Sequence, residues 1–263
     1  MTERAAFRAA LDAALWAHSL APDVEVHDTL SSTNDRLRQL AVAGAPSGQA
    51  VIALRQTAGR GRQGRSFFSP PGTGLYLSVL LRPRDLPARD AVLLTPMAAV
   101  AVCEAAESLC GVTAQIKWVN DVLVGGKKIC GILTEATCLP GSDLLDWAAV
   151  GIGVNLLPPP GGFPASLPDA GALSDRGAPI VERAPLAAEL LARLAFHYGR
   201  FADRDFVSAY RARSSVVGRE IQVQEGGESY PAQALGIDER CRLRIRTAAG
   251  ERTLDFGEIS IRT

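Results

Sequence analysis

The chain has 263 residues, a length that suggests one or two domains and can bury a full core without disulfides or a structural metal. Its 28 basic and 28 acidic residues cancel, which argues against nucleic acid as the main partner, because proteins that live on DNA or RNA carry a basic excess or a basic face. The five cysteines form no C-x-x-C pair and read as small buried hydrophobes in a reducing cytoplasm. The three histidines (His18, His27 and His197) stand far apart without metal-ligand spacing, so no metal site is expected. No stretch reads as both long and apolar enough to span a membrane, and the N-terminus, with Glu3 and Asp12, lacks the apolar run of a secretory signal.

Residues 3–18 predict an amphipathic helix with Phe7, Leu11 and Leu15 on one face. Residues 24–26 predict a strand. The run Ser31-Ser32-Thr33-Asn34 offers N-caps for a helix carrying Leu37, Leu40 and Ala41, with Gly44 as its stop. QAVIALRQ (49–56) and LYLSVLL (75–81) predict strands on either side of a Gly-, Arg- and Pro-rich loop at 57–74. Residues 90–110 predict a long Ala-rich helix. Residues 116–118 and 122–124 are strand-like, with Gly125-Gly126 as a hairpin turn. Residues 128–136 and 147–156 predict paired central strands. Residues 157–180 predict a long surface loop and 184–213 two helices. Beyond about residue 215 the pattern changes to short alternating strands, which fits a small barrel of about 50 residues.

Three segments carry chemistry. Gly59 to Arg65 (GRGRQGR) matches G-x-G-x-x-G, but Phe67, Phe68, Pro70, Pro71 and Gly72 follow where a dinucleotide-binding turn needs a helix, so that reading is discarded. Arg55, Arg60, Arg62 and Arg65 put four positive charges in eleven residues with no acid among them, a composition suited to phosphate or carboxylate. A solvated basic loop or an RNA-binding segment stays open for this loop by itself. Lys117 in KWVND stands at the end of a buried strand beside Trp118, where an ammonium is costly unless it meets an anion; an edge lysine reaching to water is the alternative. Gly151 and Gly153 in GIGVN suggest that something packs closely on a buried strand, or else a bulge.

The order SSTN, QTAGRGRQGR, KWVND, KKICGILTE and GIGVN, over about residues 27–156, resembles the biotin–protein ligases, and a small β-domain ending in GEISIR (257–262) is similar too. The resemblance implies an α+β fold: a catalytic domain of the biotin–lipoate ligase type, related to class II aminoacyl-tRNA synthetases, over residues 1–213, then an SH3-like barrel over 214–263. It implies that biotin and Mg-ATP give biotinyl-AMP, and that biotin then passes to a lysine of a biotin carboxyl carrier protein, such as that of acetyl-CoA carboxylase. Ser32, Thr33, Asn34, Gln56, Gly59, Gly61 and Gly131 would meet biotin. Arg60, Arg62 and Lys117 would meet both biotin and nucleotide as the catalytic cations. Phe67, Asn120 and Asn155 would lie near ATP. Mg²⁺ would arrive on ATP. Two departures concern the usual K-W-P-N-D, where Val119 replaces proline, and the usual tryptophan after the arginine loop, where Phe67 stands. Some members carry an N-terminal DNA-binding domain. About 26 residues precede the first motif strand here, so a ligase without a DNA-binding role is expected. A lipoate ligase is the nearest alternative. The oligomeric state stays open, a homodimer among the options.

Overall fold

A computed structural model describes residues 2–19, 22–176, 182–255 and 257–261. Helix α1 (Glu3–Ala17) starts at Thr2, whose hydroxyl accepts the Ala5 amide, and buries Phe7, Leu11 and Leu15 as the sequence predicts. Strand β1 (Val24–His27) leads to helix α2 (Thr33–Val42) with Ser32 at its N-cap. Strand β2 (Ala50–Ala53) is shorter than expected, because beyond Ala53 the chain keeps one isolated bridge to that neighbour, Leu30–Gln56. Strand β3 (Gly74–Leu81) is buried throughout. Helix α3 (Leu94–Cys110) follows a 3₁₀ turn and ends at Gly111 in the left-handed region, where a side chain would be strained. Then come β4 (Ala114–Lys117), β5 (Asp121–Val124), β6 (Lys127–Cys138), β7 (Leu145–Asn155), α4 (Arg183–Gly199) and α5 (Phe206–Ala212).

These strands form one sheet in the order β1-β2-β3-β7-β6-β5-β4; β1 and β2 are parallel and the other pairs antiparallel. Alternation along each strand decides what covers each face. Leu75, Leu77 and Val79 of β3 and Val150, Ile152 and Val154 of β7 join the large core with α1, α3, α4 and α5. On the opposite face Leu80, Trp147 and Ala149 pack on Leu37 and Ala41 of α2. Helix α2 covers only part of that face, and the remainder is left for a site.

The 88–110 segment corrects one expectation. It does have the length and apolar composition to cross a membrane, but it is two-thirds buried as the central core helix of this fold. The predicted loop at 157–180 contains turns and a short 3₁₀ helix at Ser174–Arg176; its last four residues lie outside the described residues, as does Arg262 of the GEISIR segment.

The C-terminal strands β8 (Glu220–Glu225), β9 (Glu228–Ile237), β10 (Leu243–Thr247), β11 (Gly250–Leu254) and β12 (Glu258–Ile261) form a second antiparallel sheet, ordered β11-β10-β9-β8-β12. Ile221, Val223, Ala234, Leu243, Ile245 and Leu254 fill its interior. Trp118 ties it to the first sheet. The buried indole donates to the Cys241 carbonyl at 2.9 Å. Arg240 pairs with Asp90 and Arg211 with Glu239 across the same joint. The Trp118–Val119 peptide bond is cis.

Arg36 of α2 donates through both Nε and Nη2 to the two oxygens of Glu25 on β1, each at 2.8 Å. Chiefly through that bond, with His27 assisting, the Glu25 carboxyl is lowered from 4.5 to about 2. Because the folded value is depressed, the pair stabilises fully above the ordinary carboxylate range and loses its contribution as pH falls toward about 2. Solvent screening reduces the effect to about 1 kcal/mol. Glu25→Gln should therefore destabilise the fold by about that much at pH 7. In urea melts the difference from the parent should vanish in acid; a gap that persists there would contradict this assignment.

Candidate active site

The uncovered sheet face is built from glycine. Gly131 of β6 and Gly153 of β7 are register partners, and Gly151 lies opposite Leu133. A Cβ at Gly153 would stand 2.4 Å from the Phe67 ring, and one at Gly151 would stand 2.3 Å from Asn34 Oδ1. The close approach expected at GIGVN is thus real: a phenyl ring and a carboxamide lie directly on the strand backbone.

Above this floor is a cavity of about 190 Å³. Ser32, Thr33, Asn34 and Gln56 form one wall, Arg60, Gly61, Arg62 and Phe67 a second, and Asn120 and Gly131 border it on the β5–β6 side. These ten of the expected residues are brought together. Gly59 lies at the base of the arginine loop, where a Cβ would meet Phe67 O and Ser69 Oγ at 2.5 Å each. The polar wall is tightly bonded. Gln56 Oε1 accepts from the Thr33 amide at 2.8 Å, and Ser78 Oγ reaches Thr33 Oγ1 at 2.7 Å and Asn34 Oδ1 at 2.6 Å.

The arginine loop folds as a small hairpin: Gly61 N donates to Arg65 O, and Phe67 N to Gly59 O. Arg60 reaches Asp35 Oδ1 at 2.7 Å and Glu135 Oε1 at 2.6 Å, and those carboxylates raise its pKa. Arg62 points inward and donates to Asn120 Oδ1 at 3.0 Å. Loss of hydration lowers its pKa, and the charge of Asp121 partly offsets that effect.

A second, larger cavity of about 510 Å³ adjoins the first. The two share Arg65, Ser66, Phe67, Asp121, Lys128 and Leu167. Its other walls are the 163–170 segment, the end of β4, Asn155, and Ser215, Arg219 and Ser260 from the C-terminal part.

Lys117 stands apart from the other expected cations. Expected to meet both biotin and nucleotide, it borders the second cavity, sharing it with Arg65 but not with Arg60 or Arg62. The reason is its place on β4, the edge strand. Two cations border both cavities, Arg65 and Lys128, and the Lys128 Nζ pairs with Asp121 at 2.8 Å. Asn155 likewise borders only the second cavity and donates to the Gly171 carbonyl.

Comparison with known proteins identifies the family. The biotin/lipoate A/B protein ligase family matches residues 26–155, and the biotin protein ligase C terminal domain matches residues 216–262. The bifunctional ligase/repressor BirA of Bacillus subtilis is 34% identical over 239 residues, 89% of this chain and 73% of that protein. The biotin–[acetyl-CoA-carboxylase] ligase of Paracoccus denitrificans is 33% identical over 244 residues, 87% of this chain and 96% of that one. The biotin protein ligase of Aquifex aeolicus in complex with biotin and ATP superposes with a TM-score of 0.74 at 28% identity, over 91% of this chain and 98% of that one. The chain belongs to the biotin/lipoate A/B protein ligase family.

In this ligase-family chain Lys128, Asp121, Glu135 and Ser78 escaped the sequence reading. For Lys128 the cause is a bulge. Val122 pairs with Cys130 and Leu123 with Lys128, so Ile129 is the extra residue and the alternation changes phase. Simple alternation back from Gly131 would point Ile129 at the site; Ile129 is instead in the core.

Gly151→Ala should cost about 2–4 kcal/mol, because the added methyl must push Asn34 off three hydrogen bonds in a closed space. Gly153→Ala meets only the movable end of the Phe67 ring and should cost less. Chemical denaturation of both variants checks this. Equal losses would contradict the distinction.

Proposed function

We propose that this chain is an ATP-dependent biotin–protein ligase that forms biotinyl-AMP across the two adjoining cavities and passes biotin to a lysine of a biotin carboxyl carrier domain. The observation that carries the reading is the position of Lys128, which borders both cavities and whose ammonium pairs with Asp121, a residue that also borders both. The glycine-floored cavity suits the biotin ring system, with Ser32, Thr33 and Gln56 offering polar partners for a ureido group. The second cavity has room for a nucleotide, with Asn155 and Lys117 on its walls.

A carboxylate does not acylate an amine at neutral pH, because its oxygen is a poor leaving group. In the reading proposed here, the biotin carboxylate attacks the α-phosphorus of ATP, the bond to the β-phosphate oxygen breaks and pyrophosphate leaves. The carrier amine then attacks the acyl carbon and AMP leaves. The first step brings two anions together. Lys128 and the poorly hydrated Arg62 offset that repulsion and stabilise the charge gathering on the phosphate. Lys117, further along the second cavity, is placed for the phosphate chain rather than for the carboxylate.

Among the described residues there is no group of three or more His, Cys, Asp or Glu that could hold a metal. The fit is to Mg²⁺ held mainly by ATP phosphates and water. When present it neutralises phosphate charge.

The match of a separate family to 216–262 supports a division near residue 213, with the C-terminal part supplying one wall of the nucleotide cavity. The charge balance supports operation without nucleic acid, and the five free cysteines support a reducing, cytoplasmic setting.

Incubation with biotin, Mg-ATP and a biotin carboxyl carrier domain should label the carrier on a streptavidin blot. Lys128→Ala should slow pyrophosphate release by about 10²–10³. Lys117→Ala should fall by less and mainly raise the KM for ATP. A larger loss at Lys117 than at Lys128 would reverse the assignment, and no labelling by the parent would refute the function.

A further inference from the structure

The KKICGILTE segment ends in a carboxylate for which the reaction above has no use. Glu135 is on β6, two register pairs beyond the glycine floor. Its Oε1 accepts from Arg60 Nη2 at 2.6 Å, and its Oε2 accepts from Asn34 Nδ2 at 2.9 Å. One side chain thus grips the arginine loop with one oxygen and the polar wall of the first cavity with the other. The second guanidinium nitrogen of Arg60 is taken by Asp35 on α2 at 2.7 Å. Neither acid reaches the chemistry. Both hold the residue at the root of the loop.

We propose that Glu135, assisted by Asp35, is the positioning residue that locks the arginine loop closed over the first cavity, so that a reactive acyl-adenylate formed there is retained until an amine arrives. The inference rests on the ligase reading for the identity of what is retained; the lock itself rests on geometry alone.

The loop is a hairpin closed on itself by Gly61–Arg65 and Gly59–Phe67 bonds, so it can move as one flap about its ends. Arg60 ties that flap to Asp35 and Glu135, and Arg62 ties it to Asn120. The Arg62 tie is made to a neutral amide inside the cavity and competes with an incoming anion. The Arg60 tie is made to two carboxylates at the cavity rim, where an anionic ligand is repelled and leaves it intact. The lock therefore stays shut while Arg62 exchanges Asn120 for substrate. Glu135 also orders Asn34, so loop closure and the shape of the polar wall depend on the same carboxylate.

Because Arg60, Asp35 and Glu135 are each between a quarter and two-fifths exposed, solvent weakens the pairs, and loss of one should speed loop opening by about three- to tenfold. The test is hydrogen exchange of residues 59–67, read by mass spectrometry on the ligand-free full chain. Glu135→Gln keeps an oxygen for Asn34 but removes the charge facing Arg60. It should speed exchange in 59–67 by about three- to tenfold and leave exchange in β3 and β7 unchanged. Asp35→Asn should do the same, whereas Glu251→Gln on the C-terminal sheet should not. In a second arm the protein is loaded with biotin and Mg-ATP. The share of biotinyl-adenylate that escapes to solution should rise by a similar factor in Glu135→Gln.

Unchanged exchange at 59–67 would overturn the lock, and so would exchange that rises equally throughout the sheet, since that marks general destabilisation. Faster exchange without faster escape would overturn its role in retention. If the parent forms no adenylate, the ligase reading falls, and the exchange arm still decides the lock.

Discussion

Like charges must be kept together in a space poor in water. Arg60, Arg62 and Lys128 all border one small cavity, and their repulsion would open it if nothing opposed them. Each is held by an oxygen from a different part of the body: Arg60 by Asp35 and Glu135, Arg62 by Asn120, and Lys128 by Asp121. The arrangement stores positive potential without letting it disperse. A cation that has already lost hydration gains more from an arriving anion than one in open water. The lowered pKa of Arg62 is the mark of that state.

The sheet makes such crowding possible. Three residues without side chains, Gly131, Gly151 and Gly153, leave a bare strip of backbone on the face that α2 does not cover. Phe67 and Asn34 settle onto it, one apolar and one polar, and the cavity opens between them. The opposite face of the same strands carries Val150, Ile152 and Val154 into the main core. A strand thus fixed by burial on one side offers a rigid platform on the other. The C-terminal sheet is anchored close by through the Trp118 indole, so the KWVND turn serves as a structural joint as much as a chemical motif.

Much of this was legible in the sequence where periodicity is strong. The face of α1, the long apolar α3, the buried β3 and the paired β6 and β7 follow from apolar spacing and composition, because those elements bury a whole side or more. The arginine loop and the polar SSTN wall were legible from composition and order. The pattern did not single out Lys128. Lys117 and Lys128 each stand near a strand end, and only the bulge at Ile129 turns Lys128 into the site. A bulge is a property of the pairing between two strands and leaves no trace in the alternation of one. Glu135 was hidden for a related reason: its partners Asn34 and Arg60 are 101 and 75 residues away. The wall formed by Ser215, Arg219 and Ser260 depends on how the C-terminal sheet docks, which local pattern does not encode.

The central claim is that one ammonium, at the seam of two cavities, receives both reactants. A crystal structure with biotin and a non-hydrolysable ATP analogue tests it most directly. The account predicts that Lys128 Nζ leaves Asp121 and stands within about 3 Å of both a biotin carboxylate oxygen and an α-phosphate oxygen. Lys128 still paired with Asp121, with both anions gathered around Lys117 instead, would contradict it.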